Sequence, residues 1–211
     1  MQTTNQTSRE PYALMETLET GWQPPELPED NTPPPPPISS RSVLREIIET
    51  LLLTFFIFFL VNSLIGRYKI DGSSMEPTLH NEQYLIINNL SYFLNEPKRG
   101  EVIVFHHPRS DLNLIKRIIG LPGDHVEIRN QEVRVNGVLL NEPYISAPPN
   151  YNGTWDVPEG NYFVLGDNRN SSSDSHTWQF LPEENIIGKA ILVYWPPEDW
   201  GFVPHAIYPI N

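Results

Sequence analysis

One stretch of the chain is apolar without any period. Thr50 to Gly66 reads TLLLTFFIFFLVNSLIG, 17 residues with no charge, and extending it back to Ile47 gives 20 residues and admits only Glu49. Within Leu51–Val61 the one polar residue is Thr54, whereas a helix on the surface of a soluble core keeps a polar face. About 20 apolar residues cross a ~30 Å hydrocarbon layer, so the pattern predicts a transmembrane helix over residues 43–66. A cleavable signal peptide is the rival reading. Against it, 42 residues precede the segment and no small-x-small site follows closely. Flanking charges, Arg41 and Arg45 before and Arg67 and Lys69 after, leave orientation open. No later run is long enough to span, which puts residues 68–211 on one side.

Beyond the apolar run the pattern shortens to strands. Tyr84–Ile87, Glu101–Phe105, His125–Ile128, Glu132–Val135, Tyr162–Leu165 and Ala190–Trp195 are short runs rich in β-branched and aromatic residues. Turn signals separate them: Arg99-Gly100, Pro122-Gly123-Asp124, Asn136-Gly137 and Gly166-Asp167-Asn168. Asn136-Gly137 between Val133–Val135 and Val138–Leu140 is a hairpin signal. Strands outnumber helices, which predicts an all-β, antiparallel barrel or sandwich over residues 67–211. Residues 143–159, rich in Pro, Asn, Gly and Tyr, read as a surface loop.

Composition changes the picture at the N-terminus. Nine of the 22 prolines lie in residues 1–42, including Pro33 to Pro37. Few apolar residues accompany them, so residues 1–42 read as a disordered or polyproline-like tail, with a docking segment as the alternative. The net charge of −12 divides into −5 over residues 1–66 and −7 over 67–211. No basic patch of the nucleic-acid type appears, which argues against nucleic-acid binding. The absence of cysteine excludes disulfides, thiol catalysis and cysteine zinc sites.

Two segments carry candidate chemistry. Ser74 lies in Gly72-Ser73-Ser74-Met75-Glu76-Pro77-Thr78-Leu79, where Gly72 permits a tight turn and Pro77 stiffens the exit. A serine needs a base and an oxyanion site to act as a nucleophile; from local composition alone Ser74 reads equally as a turn or N-cap serine. Lys116 lies in Leu114-Ile115-Lys116-Arg117-Ile118-Ile119, and on a strand it shares a face with Leu114 and Ile118. Apolar surroundings lower a lysine pKa and make the amine a usable base; a snorkelling surface lysine is the alternative. A third segment, Gly166 to His176, is a polar loop launched from a strand. His106 and His107, adjacent on a strand, point to opposite faces and make a poor metal pair.

These segments are ordered. Ser74-Met75-Glu76-Pro77-Thr78-Leu79, Lys98-Arg99-Gly100-Glu101-Val102-Ile103-Val104-Phe105, Lys116-Arg117-Ile118-Ile119-Gly120-Leu121-Pro122-Gly123-Asp124, and Gly166-Asp167-Asn168-Arg169 with Ser172 and Asp174-Ser175 resemble the motifs of type I signal peptidases. The resemblance runs from the apolar segment to about Trp195. It implies a membrane-bound serine endopeptidase that removes signal peptides from exported preproteins. Ser74 would be the nucleophile and Lys116 the general base. Ser172 would hydrogen-bond the lysine amine, Asp174 and Arg117 would form a supporting ion pair, and the Ser74 backbone N–H would serve the oxyanion. Ile70, Met75, Leu79, Leu114 and Ile115 would wall a shallow pocket for small side chains.

The resemblance further implies no cofactor and no metal, with signal peptides and the lipid bilayer as partners. It also implies a cytoplasmic N-terminus and a catalytic domain outside a bacterial plasma membrane, or facing a thylakoid lumen. Ser74, eight residues beyond Gly66, would lie near the bilayer surface, with Trp195 and Trp200 helping to seat the domain. This chain departs from the pattern in places. Gly72 stands where some members have a hydroxyl for the oxyanion hole, His176 where some have arginine, and Gln179 where glycine is usual. The competing readings are a self-cleaving Ser/Lys peptidase of the repressor type, an anchored β domain that only binds, and a structural membrane protein.

Overall fold

The structure, a computed structural model, describes residues 40–209. The proline-rich tail reading therefore lies outside the described residues up to residue 39. Backbone contacts divide the chain after Glu46, and the fold below is that of the unit beginning at Ile47. Helix α1, Ser40–Leu64, has 25 residues. Along it Leu51 is 63%, Phe55 67% and Phe58 65% exposed. Among the described residues no helix is long and apolar enough to cross a membrane. The helix stops two residues short of the expected Gly66, because Ile65 and Gly66 pair with Asn88 and Ile87 instead. A Cβ on Gly66 would come within 2.5 Å of the Ile87 side chain, so the close approach requires glycine.

The rest is mostly β, and every strand pair is antiparallel. In chain order come β1 (Ile65–Lys69), β2 (Tyr84–Asn88), the single turn α2 (Ser91–Leu94), β3 (Val102–His106), β4 (Asn113–Gly120), β5 (His125–Arg129), β6 (Glu132–Val135), β7 (Val138–Leu139), β8 (Gly153–Asp156), β9 (Asn161–Leu165), α3 (Ser175–Trp178), β10 (Leu181–Pro182), β11 (Ile186–Trp195) and β12 (Gly201–Phe202). A large sheet runs β1-β2-β11-β3-β4-β9-β10, with β12 added to β11; a small one runs β7-β6-β5-β8. The large sheet is open, ending on β1 and β10. The segment 143–159 is not wholly loop, because β8 lies within it and pairs with β5. Thr154 and Trp155 supply the β propensity there, outweighed in the sequence by the surrounding Pro, Asn and Gly.

Three apolar cores follow from this layout. Ile70, Met75, Leu79, Leu85, Ile87, Val102 and Val104 pack the β1–β3 end of the large sheet. Val126, Ile128, Val133 and Val135 join Ile119, Phe163 and Leu165 beneath the small sheet. Ile103, Phe105, Ile118, Val164 and Trp178 form the third. Strand β4 serves all three, with Ile115 against the first, Ile119 in the second and Ile118 in the third. Lys116 and Arg117 are thereby carried into the centre of the molecule.

Candidate active site

The turn after β1 presents Ser74. Met75 and Leu79, each 1% exposed, plug the first core on either side of the turn. Backbone bonds from Glu76 N–H to Ser73 C=O (3.1 Å) and from Leu79 N–H to Met75 C=O (3.0 Å) close it. Gly72 has φ +107°, a left-handed conformation that favours glycine. Its N–H donates to Asn81 Oδ1 at 2.8 Å.

Lys116 lies opposite Ile103 in the β3–β4 ladder and is 2% exposed. Its Nζ donates to Ser74 Oγ at 2.6 Å and to the Ile115 carbonyl at 2.9 Å. The chain thus brings together two residues 42 positions apart. Burial pushes the Lys116 ammonium down to about 8, against the opposing pull of the Asp174 and Asp167 carboxylates. An amine of that pKa is neutral in a substantial fraction of molecules near neutral pH. In the neutral form the same 2.6 Å contact puts the nitrogen lone pair on the Ser74 proton.

The supporting residues are arranged differently from the expectation. Arg117, fully buried, pairs with Asp167 and not with Asp174. Its Nε donates to Asp167 Oδ1 at 2.9 Å and its Nη2 to Oδ2 at 2.7 Å. Asp167 lies just past β9, which runs beside β4 with Leu165 opposite Arg117. Asp174 instead caps α3: it accepts from Gly166 N–H at 2.9 Å and from His176 N–H at 3.3 Å, and meets His176 Nδ1 at 2.5 Å. The expected bond from Ser172 to the lysine amine is not made. Ser172 Oγ is buried without a partner, while the amine bonds to Ser74 and Ile115.

The loop after β9 grips the turn that bears Ser74. Asn168 N–H donates to the Ser74 carbonyl at 3.0 Å, Asn168 Nδ2 to the Ser73 carbonyl at 3.1 Å, and Thr78 Oγ1 to Asp167 Oδ2 at 2.5 Å. A Cβ on Gly166 would lie 2.2 Å from Ser172 Oγ and 2.4 Å from the Ser74 carbonyl oxygen, so glycine is required at this approach. Arg169, 1% exposed, braces the loop through two 2.6 Å bonds to Glu142 and one of 3.2 Å to the Gly166 carbonyl.

Beside Ser74 is a cavity of about 100 Å³, walled by Ile70, Leu85, Val104, Leu114, Ile115 and the Lys116 stem, among others. Ile70, Leu114 and Ile115 therefore stand where the pocket reading put them, whereas Met75 and Leu79 are spent in the core behind it. Leu85 and Val104 escaped the sequence reading because they look like any strand residue. Asp167 and Thr78 were visible in their motifs without a partner; Glu142 and Tyr144 carried no signal. Among the described residues no group of three or more His, Asp or Glu is placed to hold a metal ion.

Comparison with known proteins bears on this geometry. Residues 43–195 match the family model described as signal peptidase, peptidase S26. A probable signal peptidase I-2 of Synechocystis sp. is 50% identical over 62% of this chain, and the match spans 63% of that relative's length. A signal peptidase IB of Staphylococcus aureus is 36% identical, over 75% of this chain and 93% of the relative. A solved signal peptidase I from Enterococcus faecalis V583 is similar over 45% of this chain and 97% of its own, at 35% identity and a TM-score of 0.43. The family match extends from within α1 to the end of β11, across both arms of the site, and on it the chain belongs to the signal peptidase, peptidase S26 family.

Proposed function

We propose that this signal peptidase removes signal peptides from exported preproteins with Ser74 as nucleophile and Lys116 as general base, while α1 holds it at a bilayer. One observation carries the mechanism: a lysine amine, buried and without a carboxylate in direct contact, 2.6 Å from a serine oxygen. The neutral amine takes the Ser74 proton as Oγ attacks the scissile carbonyl. The resulting oxyanion is served by the Ser74 backbone N–H. As the C–N bond breaks, the Lys116 ammonium returns that proton to the leaving amine and an acyl-enzyme remains. Lys116 then takes a proton from the attacking water, and the ester is hydrolysed. Ser172 Oγ, unpartnered beside Gly166, is in this reading the hydroxyl that steadies the amine once Ser74 is acylated.

Substrate choice follows from size. A cavity of about 100 Å³ beside Ser74 admits a methyl group and rejects long side chains. The bilayer reading rests on α1, where Leu51, Leu52, Phe55 and Phe58 are large exposed apolar side chains. Local thinning of the bilayer accommodates an apolar stretch shorter than the hydrocarbon layer. Residues 1–42 would then be cytoplasmic and residues 67–211 extracytoplasmic, with exposed Trp195 and Trp200 at the interface.

The test is cleavage of a preprotein bearing an Ala-x-Ala site, in detergent, by the wild type, Ser74→Ala and Lys116→Ala. Loss of roughly 10³-fold or more in both variants is expected. For the wild type, kcat/KM should rise with pH and level off above about 8, where Lys116 has lost its proton. Equal cleavage by all three proteins would overturn the assignment.

A further inference from the structure

Arg117 is enclosed by parts of the chain that the Ser/Lys chemistry does not touch. Residues 203–208 run as a strap over the large sheet. Val203 N–H donates to the Ile191 carbonyl (2.9 Å), Ala206 N–H to the Gly100 carbonyl (3.0 Å), and Val102 N–H to His205 Nδ1 (3.0 Å). Burial pushes the His205 imidazole down to about 4, so it is neutral and free to accept. The strap gives Arg117 an acceptor, the Pro204 carbonyl, at 3.1 Å from Nη1, beside the Gly100 carbonyl at 2.8 Å.

From the other side comes Tyr144, on the segment that leaves β7. Its ring lies 4.0 Å from the Arg117 guanidinium carbon and 5.9 Å from that of Arg169. Its hydroxyl donates to Glu142 Oε1 at 2.8 Å and lies 2.6 Å from the Tyr208 hydroxyl. With its own proton on Glu142, Tyr144 accepts the proton of Tyr208. One ring therefore caps the guanidinium that holds Asp167, and the C-terminal strap fixes that ring.

We propose that Tyr144, locked by Tyr208, is a positioning residue for the Ser74–Lys116 pair: its ring keeps the Arg117 fork on Asp167, which holds Thr78 and leads into the loop that binds Ser73 and Ser74. The inference rests on the Ser/Lys reading above. A ring over a desolvated guanidinium is attractive, and here it also excludes water. Arg117, Tyr144, Pro204 and Tyr208 all line one cavity of about 620 Å³, so deleting the ring admits water to the Arg117–Asp167 pair from a space that already exists. Two consequences share a sign. A looser Arg117 offsets the Asp167 charge less, and entering water relieves burial; both raise the Lys116 pKa.

The experiment compares full-length wild type, Tyr144→Leu, Tyr144→Phe and Tyr208→Ala on the Ala-x-Ala preprotein, with Ser74→Ala as control. Tyr144→Leu should lower kcat roughly tenfold to a hundredfold with little change in KM. Its acid limb should move up by about half a pH unit or more. Tyr144→Phe, which keeps the ring, should retain most of the rate. Tyr208→Ala changes a half-buried residue at the edge of the second core, and should move the limb in the same direction by less; it decides the matter should Tyr144→Leu fail to fold. Thermal melts accompany each variant. A lower Tm in both Tyr144→Leu and Tyr208→Ala with the wild-type kcat and acid limb would reduce Tyr144 to scaffold and overturn the proposal. Undiminished cleavage by Ser74→Ala would instead sink the Ser/Lys reading beneath it.

Discussion

The small sheet and the strand that carries Lys116 solve opposite problems within one domain. In the small sheet Val126 and Ile128 face Val135 and Val133 across the β5–β6 ladder, while Glu127 faces Arg134 on the other side. Along this ladder the four apolar residues are buried and Glu127 and Arg134 reach water, so the local preferences agree with the fold. At the site the sheet buries Lys116, Arg117, Asp167, Arg169 and Asp174, none more than 2% exposed. Buried charge is costly unless paired. Arg117 has Asp167, Arg169 has Glu142 and Asp174 has His176. Lys116 alone among these five has no carboxylate or imidazole within ion-pair distance among the described residues. Pairing offsets the cost of burying its neighbours, whereas burial without an ion-pair partner pushes the Lys116 ammonium down to about 8. The contrast teaches that the member of this buried group without an ion-pair partner is the one whose charge burial disfavours most.

The largest effect should come from breaking a pair. Asp167→Ala strands Arg117 in the interior and removes the acceptor of Thr78. Breaking a buried pair in this way costs about 3–5 kcal/mol, read as a fall in the urea midpoint at constant m-value. Activity should fall as well, because the turn that holds Ser74 loses an anchor. A remaining acid limb should move down, since one carboxylate that raises the Lys116 pKa is gone. This direction is opposite to that expected for Tyr144→Leu. Asp167→Ala with unchanged stability would mean that the pairs are not what keeps these charges inside.

Next in size is the gain from removing the unpaired charge. The folded-state pKa of Lys116 lies near 8, below its unfolded value. Below pH 8 both states are protonated and the folded state bears the full cost of the buried ammonium. Between pH 8 and about 10.5 the folded state holds fewer protons than the unfolded one, so stability rises with pH; above that both are neutral and the cost is gone. Lys116→Met, a change of similar shape, should therefore stabilise the inactive protein by roughly 3 kcal/mol at pH 7. The advantage over the wild type should shrink across pH 8 to 10.5. A variant no more stable than wild type at pH 7 would show that Lys116 is solvated where it stands.

The same contrast explains what could be read in advance. The β5–β6–β7 part of the small sheet was legible down to its turn, because alternation and the Asn136-Gly137 pair are local signals; β8 was not, because Pro, Asn and Gly surround it. The strand bearing Lys116 and the turn bearing Ser74 were legible as ordered motifs. The partners of Arg117 were not. Asp167 and Asp174 are seven residues apart in one polar loop, and only the register of β9 against β4 decides which of them meets the guanidinium. Met75 and Leu79 looked like pocket walls, because which face of a turn meets the core is a tertiary matter. Glu142 and Tyr144 lie in a segment whose composition says only loop. Their roles come from two arginines far away in sequence.

The smallest effect tests whether the two regions are separable. Asn136 and Gly137 have φ +52° and +80°, and they join Val135 to Val138 in a two-residue hairpin. A Cβ on Gly137 would meet no atom within 4 Å, so Gly137→Ala costs only the left-handed backbone, about 1–2 kcal/mol. The hairpin feeds β7, and a few residues further on the chain reaches Glu142 and Tyr144. If the small sheet is a self-sufficient scaffold, the variant should melt a few degrees lower with kcat and the acid limb unchanged. If kcat falls while the fold survives, strain at the hairpin has travelled through residues 138–144 to the ring over Arg117. The small sheet would then count as part of the device that holds the Ser74 turn, not as its neighbour.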